Sequence, residues 1–395
     1  MRILMLSWEY PPRIVGGISR VVHDLAQKLG EKGNEVHIVT CLEYNTPEEE
    51  KDKHVYVHRV RSYEIGANNF IGWVMHLNFA LLQRCIRLFN TEGPFDIIHA
   101  HDWIVAYASI VLKQSFSAPL VATIHATEWG RNWGIHNEEQ KYISSVEWWL
   151  TYEAWKVIVN SEYMNNEVKQ VFQLPSDKIK VIANGVDLKK FDGYACDEEF
   201  RRNFALDSEK IIFFVGRLVN EKGAHILLEA MPKIIANFYN AKLVIAGKGP
   251  QLEYLKEKAL LSGISHKVFF TGYISDDNLS KLYKCIDVAV TPSLYEPFGI
   301  VALEGMVANV PVVVSDTGGI SEIVEHGVDG MKAYAGNANS LADSILEILY
   351  SPMKAQEMKG NALEKVKRLY NWDVISDMAL KTYEDIIGES RLQKW

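Results

Sequence analysis

Two glutamates, Glu296 and Glu304, follow one another at a distance of eight residues, and Pro-Phe-Gly comes directly after the first. The apolar run 288–291 is typical of a buried parallel strand, and residues 299–308 have the periodicity of a helix. The turn between them lies at a helix N-terminus, whose unpaired N–H groups favour a phosphate. Carboxylates beside such a site can bind sugar hydroxyls on each flank of a diphosphate. If only the two glutamates are considered, the simpler interpretation is that Glu296 is an ordinary surface residue and that Glu304 lies in a helix by chance.

A second loop carries the cations that a diphosphate leaving group needs. Arg217 and Lys222 follow the predicted strand 210–215, and Gly216 and Gly223 permit a tight turn. A guanidinium fork and a lysine point charge both suit phosphate oxygens, although two ordinary surface cations are the alternative. The chain has no Asp-x-Asp triplet, which metal-dependent nucleotide-sugar enzymes usually need. We therefore expect no metal and no cofactor at this site.

The first half of the chain also has a strand, a glycine-rich loop and a helix. Gly16 and Gly17 lie between the predicted strand 2–7 and the amphipathic helix 18–29. They let the backbone approach a ligand closely at a helix N-terminus. The spacing differs from the G-x-G-x-x-G fingerprint, which argues against a nicotinamide cofactor.

Polar residues end two further predicted strands in this half. His101 and Asp102 follow one strand, and His125 follows the next. Because parallel strands end at one edge of a sheet, we expect these residues to join the site beside Gly16. His99 precedes the end of its strand, so we assign it to the core.

Tryptophans follow the second of these strands. Trp129 and Trp133 lie in a predicted glycine-containing loop and could stack on the rings of a sugar acceptor. Aromatic residues at helical spacing more often belong to a core, so Trp148, Trp149 and Trp155 are assigned there.

Two successive series of alternating strands and helices position these residues. A chain of 395 residues is too long for one ordinary domain. We predict an α/β protein with two doubly wound domains, the first with six or seven parallel strands. Residues 43–53 are predicted to be a solvated loop. The predicted domains are 1–190, with a C-terminal helix 373–395 crossing back to it, and 191–372.

Composition restricts the partners. The net charge of −8 argues against nucleic acid and gives no help to binding anionic lipid. The first apolar run is too short for a signal peptide, and no run approaches the length of a membrane span. The cysteines lie far apart, so we expect buried, reduced thiols in a cytoplasmic protein. They are Cys41, Cys85, Cys196 and Cys285.

The chain resembles the retaining glycosyltransferases of family 4 over essentially its whole length. The resemblance rests on the spacing of Glu296 and Glu304 and on the Gly-Arg-Leu-x-x-x-Lys-Gly match at 216–223. It implies a nucleotide-sugar donor, retention of configuration and the GT-B architecture, in which two Rossmann-like domains face each other across a cleft.

The resemblance also implies residue roles. The cations of 216–223 correspond to the pair that neutralises the donor diphosphate. Glu296 corresponds to the acid beside the donor sugar, and Glu304 to the acid that holds the ribose hydroxyls. Gly17 is similar to the glycine that touches the diphosphate, and His125 to the histidine that meets the sugar near its C6 hydroxyl.

Three sets of site residues are therefore predicted. The catalytic residues are Glu296, Arg217, Lys222 and His125. The donor-binding residues, which include a contact for the nucleobase and the first residues of a helix, are Gly16, Gly17, Arg217, Lys222, Gly272, Tyr273, Glu296, Phe298, Gly299, Ile300, Val301 and Glu304. The acceptor-binding residues are His101, Asp102, Trp129 and Trp133.

Two segments also resemble bacterial glycogen and starch synthases of family 5. They are His99-Ala-His-Asp-Trp103 and Thr317-Gly-Gly319, and they suggest an α-glucan product. Those synthases have a lysine where this chain has Ile14, and Arg13 is one position away. ADP- and UDP-sugar donors therefore both remain open. The Trp-Glu-Tyr-Pro-Pro segment near the N-terminus is similar to bacterial family 4 proteins associated with glycogen-type glucan synthesis.

The predicted function is a metal-independent hexosyltransferase that moves a hexose, with glucose the first candidate, from ADP- or UDP-sugar to an α-glucan or oligosaccharide. One alternative is a family 4 enzyme acting on a cell-surface glycan, a glycolipid or a sucrose-type acceptor. A membrane acceptor would favour a basic, apolar face on the first domain, and none stands out in the sequence. The other alternative is a regulator that binds nucleotide sugars without turnover. The oligomeric state is left open.

Overall fold

A largely parallel sheet organises each of the two units into which the chain divides. The computed structural model describes residues 1–63, 65–66 and 69–392. One unit comprises Met1–Gly185 and the described part of Trp372–Trp395, and the other comprises Val186–Asn371. The three last residues of the predicted tail helix, 393–395, lie outside the described residues.

The strands of the first unit are β1 (Arg2–Leu6), β2 (Glu35–Cys41), β3 (Glu49–Asp52), β4 (Val55–Val60), β5 (Ile97–His101), β6 (Leu120–Ile124), β7 (Lys156–Val159) and β8 (Ile179–Val181). Within the described residues they form one sheet in the order β3-β4-β2-β1-β5-β6-β7-β8. Every neighbouring pair is parallel except β3 and β4. The strands that the apolar runs predicted are confirmed, within one or two residues at their ends.

The prediction of a solvated loop at 43–53 holds for residues 43–48 and is wrong for residues 49–52. Glu49–Asp52 is β3, which pairs antiparallel with β4, a strand that was not predicted. Its residues are exposed or half-buried, so β3 has no apolar face that periodicity could reveal. Charged edge strands of this kind discourage further strand pairing.

The second unit has the strands β9 (Lys210–Val215), β10 (Ala241–Ala246), β11 (Val268–Gly272), β12 (Val288–Thr291), β13 (Val312–Ser315) and β14 (Met331–Ala333). Within the described residues their order is β11-β10-β9-β12-β13-β14, and all neighbouring pairs are parallel. The short β14 was not predicted.

Helices connect the strands. Those of the first unit are α1 (Ile18–Glu31), α2 (Phe70–Thr91), α3 (Ala106–Phe116), α4 (Glu128–Asn132), α5 (Glu138–Glu153) and α6 (Glu162–Phe172). Those of the second unit are α7 (Glu198–Arg201), α8 (Ala224–Asn237), α9 (Leu252–Leu261), α10 (Asp276–Tyr283), α11 (Ile300–Val307), α12 (Ile320–Ile323), α13 (Ala338–Tyr350) and α14 (Pro352–Leu369). The last helix, α15 (Trp372–Leu392), packs against α1 in the first unit, where Lys28 Nζ lies 3.1 Å from Asp373 Oδ1. Among the described residues, no helix is both long enough and apolar enough to span a membrane.

Both sheets are doubly wound, as predicted. In the first sheet the strand order reverses between β1 and β5, and in the second between β9 and β12. In such sheets ligands bind outside the carboxyl ends of the strands at the point of reversal. The topology therefore selects the loops after β1, β5, β9 and β12 as the places for chemistry.

The prediction of four reduced thiols is wrong for one pair. Cys196 and Cys285 form a disulfide within the second unit, with Cα atoms 4.8 Å apart. Their separation of 89 residues is the reason that spacing alone could not show their proximity. Cys41 and Cys85 are free and buried, and burial raises the pKa of Cys41 to about 12.

Candidate functional site

The second unit brings together Lys222 and Glu296 from the loops after β9 and β12. Lys222 Nζ lies 2.7 Å from Glu296 Oε2, and Ser293 Oγ donates to the same oxygen at 3.1 Å. The backbone N–H of Leu294 donates to the carbonyl of Glu221 at 2.8 Å, which ties the two loops together. A cation and a carboxylate predicted from separate motifs are therefore direct neighbours.

The close approach of these loops is possible only because glycine occupies two positions, where any side chain would overlap the neighbouring backbone. Gly223 has φ +69°, and a Cβ there would lie 1.9 Å from the carbonyl oxygen of Pro292. Gly318, in the loop after β13, has φ +58°, and its Cβ would lie 2.3 Å from the carbonyl oxygen of Glu296. Gly319 N–H donates to that same oxygen at 2.9 Å. Three strand-end loops are thus held together by backbone contacts.

The N-terminus of α11 follows Glu296 directly. Gly299 caps it with φ +107°, and no side chain caps its first N–H groups. Ile300 and Val301 begin the helix and are half-buried. Phe298 is buried and packs near Tyr370, with ring centroids 6.1 Å apart, so its ring supports the turn. Backbone N–H groups at this end suit an anion.

Glu304 lies one turn further along α11 and is buried. Its Oε1 is paired with Lys190 Nζ, a residue that the sequence did not single out. Lys190 was predicted to be the last residue of the first domain, but it lies near the start of the second unit, in a short polar segment where no motif could have indicated it. The pair keeps a charged carboxylate inside the unit, where an unpaired charge would be costly.

The other predicted donor-binding residues of the second unit lie at the same carboxyl edge of its sheet. The Arg217 side chain is half exposed and lies 3.5 Å from Glu221 Oε1, a loose ion pair. Gly272 ends β11 with φ +67°, and Tyr273 after it is 68% exposed. Lys248 Nζ lies 5.6 Å from the centroid of that ring, a cation–π contact that the sequence did not predict. Because β10 separates β11 from β9, Tyr273 stands apart from the Lys222 pair.

In the first unit, a buried glutamate holds the glycine loop. Glu9 Oε2 accepts hydrogen bonds from the N–H groups of Val15 and Gly16, both at 2.8 Å. Burial raises the pKa of Glu9, and these two N–H groups oppose that shift. Gly17 has φ −70°, and a Cβ on Gly16 would meet nothing within 4 Å. The glycines therefore leave the start of α1 uncovered rather than serving the turn itself.

The predicted polar strand ends come together as a buried cluster. Asp102, with φ +63°, accepts a hydrogen bond from the His125 backbone N–H at 2.8 Å. The rings of His101 and His125 meet at 3.2 Å between Nδ1 and Nε2. Burial, followed by the neighbouring histidines, holds the pKa of His101 well below its ordinary value. These rings are therefore neutral at pH 7, and all three side chains are less than a tenth exposed.

His99 is a core residue, as predicted. It is fully buried, and its nitrogens meet Thr123 Oγ1 and Tyr383 Oη, each at 2.7 Å. Tyr383 belongs to α15, so this histidine joins the last helix to the first sheet.

The tryptophans differ from expectation in two respects. The predicted loop after His125 instead contains the short helix α4, which includes Trp129 and ends at Asn132, directly before Trp133. Trp133 is 62% exposed and Trp129 is half-buried. The assignment of Trp148 to the core is wrong, because it is exposed and stacks on Tyr152 with ring centroids 5.4 Å apart. Helical spacing alone did not show which face of α5 is turned outward.

The other two tryptophans are partly buried, so the core assignment holds for them only in part. Trp149 packs edge-on against Tyr107, with ring centroids 5.5 Å apart. Trp155 donates from Nε1 to Glu389 Oε2 at 2.8 Å.

The structure also shows the surroundings of Arg13 and Ile14, which precede the glycine loop. Arg13 NH1 lies 2.9 Å from Glu43 Oε2, and its guanidinium lies over the rings of Trp8 and Trp73 at 5.4 and 5.9 Å. Ile14 is 41% exposed. Arg13 is therefore occupied within the unit and is a poor substitute for the lysine of family 5.

In the part of the chain that the structure describes, no group of histidine, cysteine, aspartate and glutamate side chains is arranged to hold a metal ion. The absence of a metal from the reaction remains a prediction.

Comparison with known proteins identifies relatives that match nearly the whole length of the chain. A family model described as Glycosyltransferase Family 4 matches residues 15–190, and one described as glycosyl transferases group 1 matches residues 197–365. An uncharacterised glycosyltransferase of Methanocaldococcus jannaschii is 41% identical over 388 residues, covering 97% of this chain and 98% of that protein. The glycogen synthase of Mycobacterium tuberculosis is 32% identical over 398 residues, covering 97% and 94%. The solved structure of sucrose-phosphate synthase from Thermosynechococcus elongatus matches with a TM-score of 0.84 at 25% identity, covering 98% of this chain and 100% of that one.

Proposed function

The chain belongs to glycosyltransferase family 4 and has the GT-B fold, and from this we propose that it is a retaining hexosyltransferase acting on an α-glucan. The donor would be a nucleoside diphosphate glucose. The observation that carries the proposal is the contact between Lys222 and Glu296 beside the uncapped N-terminus of α11. A cation and helix N–H groups at one sheet edge are suited to a diphosphate, and the carboxylate is suited to a sugar.

The mechanism would be mainly electrostatic. As the bond from the sugar to the diphosphate breaks, negative charge grows on the leaving oxygen, and Lys222 and Arg217 would stabilise it. Glu296 already binds Lys222 and Ser293, so it is placed to orient the sugar and the lysine. The acceptor hydroxyl would attack from the face that the diphosphate leaves, and the leaving phosphate oxygen would take its proton. This path retains the configuration without an enzyme nucleophile.

The α-glucan acceptor is supported by the similarity to a glycogen synthase and by the His-Ala-His-Asp-Trp segment that ends β5. The structural match to a sucrose-phosphate synthase favours a second candidate, transfer to a small sugar acceptor. The two candidates share the donor site and differ only in the acceptor.

One experiment tests these proposals together. ADP-glucose, UDP-glucose and the corresponding mannose donors are each incubated with malto-oligosaccharides or with monosaccharides, and products are identified by mass spectrometry. We expect malto-oligosaccharides extended by one hexose, an α-linkage by NMR, and activity that survives EDTA. Transfer to monosaccharides alone would favour the second candidate. Loss of activity with EDTA and its return with Mg²⁺ or Mn²⁺ would contradict metal independence.

The regulator hypothesis is tested in the same reactions. A transferase slowly hydrolyses its donor even without an acceptor, whereas a sensor that binds nucleotide sugars does not. Donor binding without hydrolysis or transfer across the whole set would overturn the enzymatic proposal.

A further inference from the structure

The first unit contains a cavity of about 180 Å³ that four arginines line. Arg59 and Arg61 come from the end of β4 and the residue after it, and Arg84 and Arg87 come from α2. None of the four belongs to the site described above. We refer to this cavity as the arginine pocket.

Arg59 is buried in the wall of the pocket and incompletely satisfied. Its side chain is only 2% exposed, and NH2 lies 2.6 Å from Glu50 Oε1. NH1 and NH2 also donate to the backbone carbonyls of Pro47 and Pro11, at 3.2 and 3.0 Å. Its Nε is buried with no hydrogen-bond partner among the described residues. Buried donors are rarely left unpaired, so this N–H is available to an acceptor in the pocket.

Arg84 is held in place by neighbouring side chains. Its NH2 is paired with Glu49 Oε1 and donates to His58 Nδ1 at 2.7 Å. Burial, followed by the nearby Arg84 charge, lowers the pKa of His58 to about 3. The His58 ring is therefore neutral and accepts the hydrogen bond, so it orients Arg84 without adding a charge.

The remaining charges of the pocket are unbalanced. Arg61 and Arg87 are exposed and form no ion pair with any described residue. Among the described residues that line the pocket, Glu48 is the one carboxylate. The neighbouring Glu50 and Glu49 are paired with Arg59 and Arg84, so they do not neutralise Arg61 and Arg87. Planar guanidinium groups bind phosphate through paired N–H donors. We propose that the arginine pocket binds a phosphate monoester.

An adjoining cavity provides room for the rest of such a ligand. It has a volume of about 450 Å³, shares Tyr63 and Gln83 with the arginine pocket, and is lined further by Ile65 and Phe79. Phe79 is 57% exposed and Ile65 is 72% exposed. The sequence alone did not indicate that these basic and apolar side chains adjoin. The phosphate could thus belong to a free sugar phosphate or to a lipid headgroup, and the two sources can be told apart.

Binding to the full chain is measured by calorimetry with inorganic phosphate, glucose 6-phosphate and, as a neutral control, glucose. Sedimentation with vesicles that contain phosphatidic acid, whose headgroup is a phosphate monoester, tests the lipid source, and phosphatidylcholine vesicles are the control. The variants are Arg61→Gln and Arg87→Gln. Arg368→Gln is the matched control, because Arg368 is an exposed arginine of α14 in the second unit. Removal of one charged donor should raise the Kd about tenfold or more.

Binding of glucose 6-phosphate that weakens in both pocket variants and not in the control supports the proposal with a free ligand. Sedimentation with anionic vesicles that shows the same dependence supports it with a lipid. The proposal is overturned if neither the phosphates nor the vesicles bind, or if binding is equal in the pocket variants and the native chain. No nucleotide sugar is present in these measurements, so their outcome is independent of the transferase activity.

Discussion

Lys222 is the residue whose contacts predict the largest kinetic effect. In Lys222→Ala the leaving diphosphate would lose one preorganised donor, which raises the activation barrier by about 2–4 kcal/mol. We expect kcat to fall far more than donor affinity, as measured by steady-state kinetics and by donor titration.

A matched control is available for this variant. Lys281 of α10 is also paired with a carboxylate, Asp277, at 2.7 Å, but it lies outside the predicted site. Lys281→Ala should leave kcat within about twofold. Normal turnover in a folded Lys222→Ala protein would remove Lys222 from the catalytic residues.

Trp133 tests the acceptor surface. It is 62% exposed, so Trp133→Ala should change the free energy of unfolding by no more than about 0.5 kcal/mol. If the ring stacks on a glucan, the KM for malto-oligosaccharides rises while donor hydrolysis stays normal.

Trp149→Ala is the comparison for that variant. Trp149 packs against the core and Tyr107, so its loss should cost about 3 kcal/mol of stability. An unchanged acceptor KM in Trp133→Ala would show that the exposed ring has no part in acceptor binding.

At the level of elements, the contact between the loops after β9 and β12 depends on Gly223. Gly223 and Gly263 both have φ +69°, but a Cβ on Gly263 would meet nothing within 4 Å. Alanine at either position has the same left-handed strain of about 1 kcal/mol. Only Gly223→Ala must also move Pro292. It should therefore lower both the melting temperature and kcat well below those of Gly263→Ala, as measured by calorimetry and kinetics. Equal effects would mean that the loop contact is not constraining.

The buried contact between His99 of β5 and Tyr383 of α15 predicts that the stability of the protein depends on pH. Burial lowers the pKa of His99 to about 3, against about 6.5 in the unfolded chain. Between these values the unfolded state binds more protons, so the free energy of unfolding decreases as the pH falls from about 6.5 towards 3. For this one histidine the loss between pH 7 and pH 5 is about 2 kcal/mol.

Denaturant unfolding at both pH values measures that loss. His99→Gln should reduce the difference by about this amount, even if it destabilises the protein at every pH. His266→Gln, which alters an exposed histidine, should leave the difference unchanged. The opposite result, an unaltered pH dependence in His99→Gln, would show that His99 is charged in the folded state.

For the chain as a whole, the Cys196–Cys285 disulfide predicts sensitivity to reductants. The bond joins residues 89 positions apart, and closing a loop of that length stabilises the folded state by about 4 kcal/mol. Thiol titration in denaturant should find two free thiols before reduction and four after it. Dithiothreitol should lower the melting temperature of the native chain and leave Cys196→Ser unaffected. Four free thiols without reductant would contradict the pairing.

Much of the element order follows from the amino-acid sequence alone. Buried parallel strands are continuous apolar runs, so β9, β12 and most others can be located from the pattern of apolar residues. The glycine loops and polar residues at their ends indicate the edge of each sheet where the site lies. β3 cannot be located in this way, because a charged edge strand has no apolar period.

Contacts between distant parts of the chain were decided only by packing. The Lys190–Glu304 pair and the arginine pocket join residues with no shared motif. The periodicity of apolar residues within one helix or strand shows which of its sides faces a core, and neighbouring residues of the sequence are enough to reveal it. Which buried charges meet depends on the order and register of strands, because burial without a partner is costly wherever it occurs. That order is a property of the folded units, and no short stretch of sequence contains it.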